Sequence, residues 1–126
     1  MKRLFVLMGL LVIAALVVPA CAPSSATPDC KSDKVFCAAL VTDVGKVNDK
    51  SFNQSCWEGV QQAKTDGVAD QVQYIETTDA KSYATNLATF GDAGYDAIVT
   101  CGFNLTEDTY AAGAKYPNLK FIGVDQ

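Results

Sequence analysis

The chain has 126 residues, of which 49% are apolar, and it carries a formal net charge of −4. This length suits one small domain, and the acidic balance disfavours binding to a nucleic acid polymer, because neutralising phosphates requires clustered lysine and arginine. The sequence has no histidine, no Cys-x-x-Cys pair, no phosphate loop and no Gly-x-Gly-x-x-Gly pattern. We therefore expect neither a metal ion nor another cofactor.

The first 20 residues read as an export signal. Two basic residues precede an uninterrupted apolar run over residues 4–18, which is short for a membrane span of about 20 residues. Cys21 follows a small residue as in a bacterial lipobox, although Pro19 is unusual there, and we expect Cys21 to be lipidated. Ordinary cleavage after Ala20, with a free Cys21 thiol, is the alternative. Residues 21–33 are rich in proline, serine and threonine and indicate a flexible tether.

Residues 34–126 show four apolar strand patterns that alternate with three helical patterns. The predicted strands are residues 35–41, 72–76, 96–101 and 119–124, and the predicted helices are residues 51–65, 79–90 and 104–116. This alternation predicts an α/β fold, in which a parallel sheet has flanking helices and right-handed crossovers. We predict the strand order 2-1-3-4.

Local signals place the helix ends and faces. Ser51 with Gln54, and Asn104 with Glu107, fit capping boxes, whereas Asp49 and Lys50 look like solvated loop charges. The predicted inner stripe of the first helix consists of Phe52, Cys56, Gly59, Val60 and Ala63, with Trp57 also expected to pack. The apolar face of the second helix consists of Ala80, Tyr83, Ala84, Leu87 and Phe90.

Four cysteines remain besides Cys21, and an exported compartment permits disulfides, with three possible pairings. Cys101 ends a predicted strand, and Cys56 lies in the first turns of the helix that follows a neighbouring strand. A Cys56–Cys101 bridge is therefore sterically plausible, with Cys30–Cys37 as the remaining pair. The alternative is that Cys37 and Cys101 are small buried apolar residues.

Several residues suited to ligand binding follow the predicted strands at their carboxyl ends, where open α/β sheets bind ligands. A carboxylate, an aromatic ring and an amide together suit a small flat molecule that bears hydroxyl groups. Each residue also has a structural explanation, such as turn capping by an aspartate, a close turn at a glycine or core packing of a phenylalanine. The candidate set is Asp43, Phe52, Asn53, Gly102, Phe103 and Asp125.

Three neighbouring stretches form a longer pattern: Thr42 to Gly45, Asn48-Asp49-Lys50-Ser51-Phe52-Asn53-Gln54, and Trp57-Glu58-Gly59. This pattern resembles the signature of the basic membrane protein family. Members are lipid-anchored substrate-binding components of ABC transporters with a type I periplasmic-binding-protein fold. The resemblance extends over residues 34–126 and implies an incomplete, N-terminal ligand-binding lobe. Asn48 departs from the aspartate that the family often has.

The resemblance also implies a purine nucleoside as ligand, an ABC transporter permease as partner, and attachment to the extracytoplasmic face of the cell membrane. Phe52 would stack on the purine, and Asn53 would match its edge. Asp43 would accept from ribose hydroxyls or a ring N–H, and Asp125 would contact the base. Because a second lobe would supply the opposing contacts, we expect this chain by itself to bind a nucleoside weakly.

Two other functions remain open on the sequence alone. A receptor for another small ligand, such as a sugar, would use the same edge of the sheet. An exported α/β enzyme with Asp43 as a catalytic or metal-binding residue is the second alternative. The sequence contains none of the common catalytic motifs, and we therefore predict a binding protein and not an enzyme.

Overall fold

The computed structural model describes residues 28–126. The predicted signal segment, the lipidation site Cys21 and the first part of the tether lie outside the described residues. Within residues 28–126, no helix has the length and apolar character needed to cross a bilayer.

Four parallel strands form one sheet, and its order, β2-β1-β3-β4, confirms the predicted one. The strands are β1 Cys37–Val44, β2 Gln71–Thr77, β3 Ala97–Cys101 and β4 Lys120–Val124, and the helices are α1 Phe52–Thr65, α2 Tyr83–Ala93 and α3 Thr106–Lys115. The apolar composition of β1 follows from its central place, because a parallel strand with two neighbours is buried on both faces.

Three predicted boundaries lie three or four residues away from those in the structure. Strand β1 continues to Val44, so Asp43 lies within the strand and not beyond it, because the pairing with β2 resumes at Thr77 after an irregularity. Helix α2 starts later, since Asp79 caps a short 3-10 turn instead. It ends at Ala93 and includes Gly91, where a Cβ would lie 2.7 Å from the Tyr116 ring.

The two faces of the sheet have separate apolar cores. Helices α2 and α3 cover one face, whose core is centred on Leu87, Ile98 and Leu105. Helix α1 covers the other face, where Leu40 and Val60 are buried. This arrangement follows from right-handed crossovers, because the connection from β1 to β2 runs in the opposite direction to the next two.

Helix α1 covers only part of its face. An apolar groove of about 560 Å³ lies between α1 and side chains of β3 and β4. Ile122 is 54% exposed there, and within residues 28–126 β4 pairs only with β3. The groove residues are Phe36, Ala38, Phe52, Ser55, Cys56, Gly59, Val60, Ala63, Val68, Ala97, Val99, Ile122 and Val124.

A disulfide forms a small covalent ring at the amino-terminal edge of the sheet. Cys30 is bonded to Cys37, the first residue of β1. The ring packs against the end of α2 so closely that a Cβ on Gly94 would lie 2.8 Å from the Lys31 side chain. Asp96 then accepts the backbone N–H of Cys37 at 2.7 Å, which fixes the start of the central strand.

Candidate functional site

Buried threonines organise the carboxyl edge of the sheet. Thr42, Thr77 and Thr100 are fully buried, and each hydroxyl is hydrogen-bonded to a group in a neighbouring strand, loop or helix. The Thr42 hydroxyl accepts from the Thr77 N–H at 3.0 Å and donates to the Gly45 carbonyl at 3.3 Å. It therefore replaces a ladder hydrogen bond where the β1–β2 register is interrupted.

Asp43 stands at this edge near the end of the central strand, and three donors hold its carboxylate. Oδ1 accepts from the Val44 N–H at 2.6 Å and from the Tyr83 hydroxyl. Oδ2 accepts from the Asn104 side-chain amide at 2.7 Å. Gly102 lies directly beside this carboxylate, because a Cβ there would lie 2.6 Å from the Asp43 Cβ. The structure thus joins groups from β1, α2 and the β3–α3 connection.

These contacts fix the protonation of both partners. Partial burial acts to raise the pKa of the Asp43 carboxyl, but hydrogen bonds from Tyr83, Val44 and Asn104 outweigh it and hold the pKa below its ordinary 3.8. Burial, together with the hydrogen bond to Asp43, raises the pKa of Tyr83 to about 12. At neutral pH Asp43 is therefore an ionised acceptor, and Tyr83 is a protonated donor.

The start of α1 depends on Asp49, which the sequence pattern predicts to be only a solvated loop charge. Its carboxylate accepts the N–H groups of Ser51, Asn53 and Gln54 at 2.8, 3.1 and 3.1 Å. Desolvation acts to raise the pKa of Asp49, but these N–H donors lower it below its ordinary value. Ser51 occupies the N-cap position without a side-chain bond, so the capping box predicted for Ser51 and Gln54 is wrong.

Phe52 and Asn53 occupy opposite environments in the first turn of α1. The Phe52 side chain is 41% exposed and lines the apolar groove. Asn53 is only 6% exposed, its Nδ2 would lie 2.8 Å from a Cβ on Gly45, and its buried Oδ1 has no partner among the described residues. The buried stripe of α1 thus runs through Asn53 and Val60, one residue away from the predicted position of Phe52.

The other predicted site residues follow β3 and β4. Gly102 has φ of +119°, and its N–H donates to the Val124 carbonyl at 3.0 Å. Phe103 is 66% exposed at the start of a 3-10 turn. Asp125 is exposed and has φ of +58°, and the turn that it makes brings the Gln126 amide to the Gly102 carbonyl at 3.1 Å.

A second disulfide ties two parts of this edge together. It joins Cys56 in α1 to Cys101 at the end of β3, which is the pairing that the sequence favours on steric grounds. Trp57, the next residue, packs edge-on against Tyr74 of β2 with ring centroids 4.9 Å apart. The helix that carries Phe52 is therefore fixed against both β2 and β3.

The structure brings Asp43 and Gly102 into contact, leaves Phe52, Phe103 and Asp125 exposed at the same edge, and buries Asn53. Sequence reasoning missed Tyr83, Asn104, Asp49 and Gln126 as residues that shape the site. The Asp-x-Ser spacing before α1 is typical of an Asx turn and could have indicated Asp49. No local signal indicates Tyr83 or Asn104, whose bonds to Asp43 span 40 and 61 residues.

Comparisons with known proteins agree with this architecture. A family model described as "ABC transporter substrate-binding protein PnrA-like" matches residues 36–126. The chain is 36% identical over 132 aligned positions to the "CD4+ T-cell-stimulating antigen" of Listeria innocua, covering 98% of this chain and 37% of the relative. It is 38% identical over 91 positions to the "ABC transporter nucleoside-binding protein BmpA" of Lactococcus lactis, covering 70% of this chain and 26% of the relative.

The fold is similar to that of a solved structure of ABC transporter solute-binding proteins from Aeropyrum pernix K1. The TM-score is 0.63 at 26% sequence identity, and the match covers 72% of this chain and 25% of the other. The chain therefore spans about a quarter to somewhat over a third of the length of these three proteins.

Proposed function

This chain belongs to the family of PnrA-like ABC transporter substrate-binding proteins, and on that premise we propose that it supplies one lobe of a receptor for a purine nucleoside. The ligand would lie at the carboxyl edge of the sheet and would be covered by a second lobe. The Lactococcus lactis relative is named a nucleoside-binding protein, which supports a nucleoside as the ligand class.

The observation that carries the proposal is an ionised carboxylate whose partners are all neutral. Asp43 is bonded to a phenol, an amide and a backbone N–H among the described residues. Such a carboxylate attracts hydroxyl and ring N–H donors and repels an anionic phosphate. A nucleoside meets these requirements better than a nucleotide does.

Exposed aromatic rings at the same edge favour a flat ligand over a plain sugar. Phe52 and Phe103 follow β1 and β3, and both remain exposed although a soluble lobe gains free energy by burying such rings. Stacking of a base on one aromatic side chain contributes about 1–3 kcal/mol. Either ring could form one wall of a base site that the second lobe completes.

The proposal also covers the cellular location of the receptor and its protein partner. Lipidation of Cys21 would hold the receptor on the extracytoplasmic face of the cell membrane, and the receptor would deliver its ligand to an ABC transporter permease. Mass spectrometry of the mature amino terminus tests the anchor directly. A diacylglyceryl Cys21 supports it, and an unmodified Cys21 after cleavage at Ala20 contradicts it.

An NMR titration of the labelled protein with millimolar inosine tests the ligand. We expect the backbone signals of Asp43, Phe52 and Gly102 to shift, with weaker than micromolar affinity because residues 28–126 form a single lobe. Ribose and inosine 5′-monophosphate should shift them less. Equal shifts with ribose would favour a sugar receptor, and shifts confined to other residues would contradict the proposed edge.

A matched pair of variants tests the role of the ring. Phe52→Ala should lower the affinity for inosine about 5- to 150-fold, which corresponds to the loss of one base stack. Phe36→Ala is the control, because Phe36 is 40% exposed, as Phe52 is at 41%, but precedes β1 at the opposite edge of the sheet. An equal loss of affinity in both variants would refute stacking on Phe52.

A further inference from the structure

Tyr83 joins the core of the lobe to its ligand edge. It is the first residue of α2, and its side chain is 3% exposed within the apolar core that α2 and α3 form. A buried phenol needs a hydrogen-bond partner, and this hydroxyl donates to Oδ1 of Asp43. The sequence pattern explains the ring as a core residue, but it does not explain the hydroxyl.

The donors divide unequally between the two carboxylate oxygens of Asp43. A carboxylate has about four lone-pair sites, two on each oxygen. Oδ1 accepts two hydrogen bonds, from the Val44 N–H and the Tyr83 hydroxyl. Oδ2 accepts one, from Asn104 at 2.7 Å. Among the described residues, Oδ1 is therefore saturated, whereas Oδ2 is bonded only on the side of Asn104.

Gly102 packs directly against this carboxylate. A Cβ built on Gly102 would be 2.7 Å from Oδ2 and 2.6 Å from the Asp43 Cβ. Any side chain at position 102 would therefore collide with Asp43. A glycine at this position lets the backbone approach Asp43 without displacing its carboxylate.

We infer that Tyr83 is a positioning residue, which occupies Oδ1 of Asp43 together with the Val44 N–H and so leaves Oδ2, beside Gly102, as the oxygen that a ligand meets. The part of this inference that concerns the ligand rests on the proposed function. The part that concerns the orientation of Asp43 does not, because the three donors are present without a ligand.

Among the donors to Asp43, the Tyr83 hydroxyl lowers the pKa of the carboxyl the most. The hydroxyl of Tyr83 comes from α2, the amide of Asn104 comes from the β3–α3 connection, and Asp108 of α3 acts on Tyr83 through its charge. Asp108 disfavours ionisation of the phenol and so helps to keep Tyr83 a donor. Removing the Tyr83 hydroxyl should leave Oδ1 with one donor and allow the carboxylate to rotate.

Carbon-13 NMR titration of the Asp43 carboxyl tests the positioning role without any ligand. In the wild type the carboxyl should titrate below pH 3.8, and in Tyr83→Phe it should titrate at a higher pH, because the ionised form loses a donor. Tyr116→Phe is the matched control, since the Tyr116 hydroxyl also donates to an aspartate, Asp92, but far from the ligand edge. An Asp43 titration that Tyr83→Phe leaves unchanged would overturn the inference.

The wild-type protein tests the assignment of Oδ2 independently of any variant. On addition of inosine, the side-chain NH₂ signals of Asn104, which share Oδ2, should shift more than the backbone N–H signal of Val44, which is bonded to Oδ1. The reverse order would overturn the assignment. If inosine shifts neither signal, the ligand part of the inference falls with the proposed function, and the carboxyl titration still decides the positioning role.

Discussion

The two disulfides offer a matched test of how loop closure stabilises this lobe. In each pair one cysteine is fully buried, Cys37 or Cys101, and the other is half-buried. Replacing either pair by alanine therefore removes sulfur atoms of similar burial. The pairs differ in sequence separation, which is 7 residues for Cys30–Cys37 and 45 for Cys56–Cys101.

The expected free energies follow from the entropy that each bridge removes from the unfolded chain. Closing the loop of separation 45 stabilises the fold by about 4 kcal/mol at 25 °C, according to the chain-entropy relation. Closing the loop of separation 7 stabilises it by about 2.4 kcal/mol under the same relation. The double variant Cys56→Ala with Cys101→Ala should thus be about 1.6 kcal/mol less stable than Cys30→Ala with Cys37→Ala.

Urea unfolding followed by circular dichroism measures both free energies, and equal slopes against urea would show that the unfolded states are comparable. Domains of this size are stable by only about 5–15 kcal/mol, so loss of the longer bridge should remove a larger share of the free energy of unfolding than loss of the shorter one. An equal loss of stability, or a larger loss on removing Cys30–Cys37, would refute the loop-closure explanation.

Three further predictions concern the carboxyl edge. Asp49→Ala should destabilise the start of α1, and faster hydrogen exchange at the Asn53 amide, with the core amides unchanged, would show it; unchanged exchange would contradict the capping role. Gly102→Ala should lower the free energy of unfolding by at least about 1–3 kcal/mol, because Gly102 has a positive φ and contacts Asp43. The control Gly59→Ala, which meets nothing within 4 Å, should raise that free energy by about 0.5–1 kcal/mol. Similar effects of the two substitutions would refute this explanation. Because the folded pKa of Asp43 is depressed, the stability that its ionised form contributes is present above pH 3.8 and disappears as the pH falls through the folded pKa. The difference in free energy of unfolding between wild type and Asp43→Asn should therefore narrow on acidification. A difference that stays constant with pH would contradict this prediction.

The sheet could be predicted because its determinants are local and repetitive. Four apolar runs that alternate with amphipathic segments leave few topologies once crossovers are right-handed, and the order β2-β1-β3-β4 is one of them. The extension of β1 through Asp43 could not be predicted in the same way. Its polar residues join the strand because Val44 pairs with Thr77, 33 positions later in the chain.

The start of α1 shows how two local rules can compete. Ser51 and Asp49 each offer an oxygen to the free N–H groups of the first turn. The outcome depends on the conformation of the loop between them, where Lys50 has φ of +56° and Asp49 accepts three hydrogen bonds. A residue other than glycine with positive φ is uncommon, and no local sequence signal indicates it here.

The candidate site was predictable as a region but not as a set of contacts. The carboxyl edge follows from the parallel topology, so the order of strands along the chain is enough to place Asp43 and Gly102 near each other. The interactions of Tyr83 and Asn104 with Asp43 depend on how α2 and the β3–α3 connection pack on the sheet. Packing at that precision is a property of the whole fold and not of any short segment.

The Cys30–Cys37 ring determines where the preceding part of the chain joins the lobe. All four strands are parallel, so the ring lies at the pole opposite Asp43 and Gly102. The covalent bridge between Cys30 and Cys37 makes any mechanical load on the preceding chain bypass residues 31–36 and enter the central strand directly. The proposed ligand edge and the amino-terminal end of the described chain therefore lie at opposite ends of the lobe.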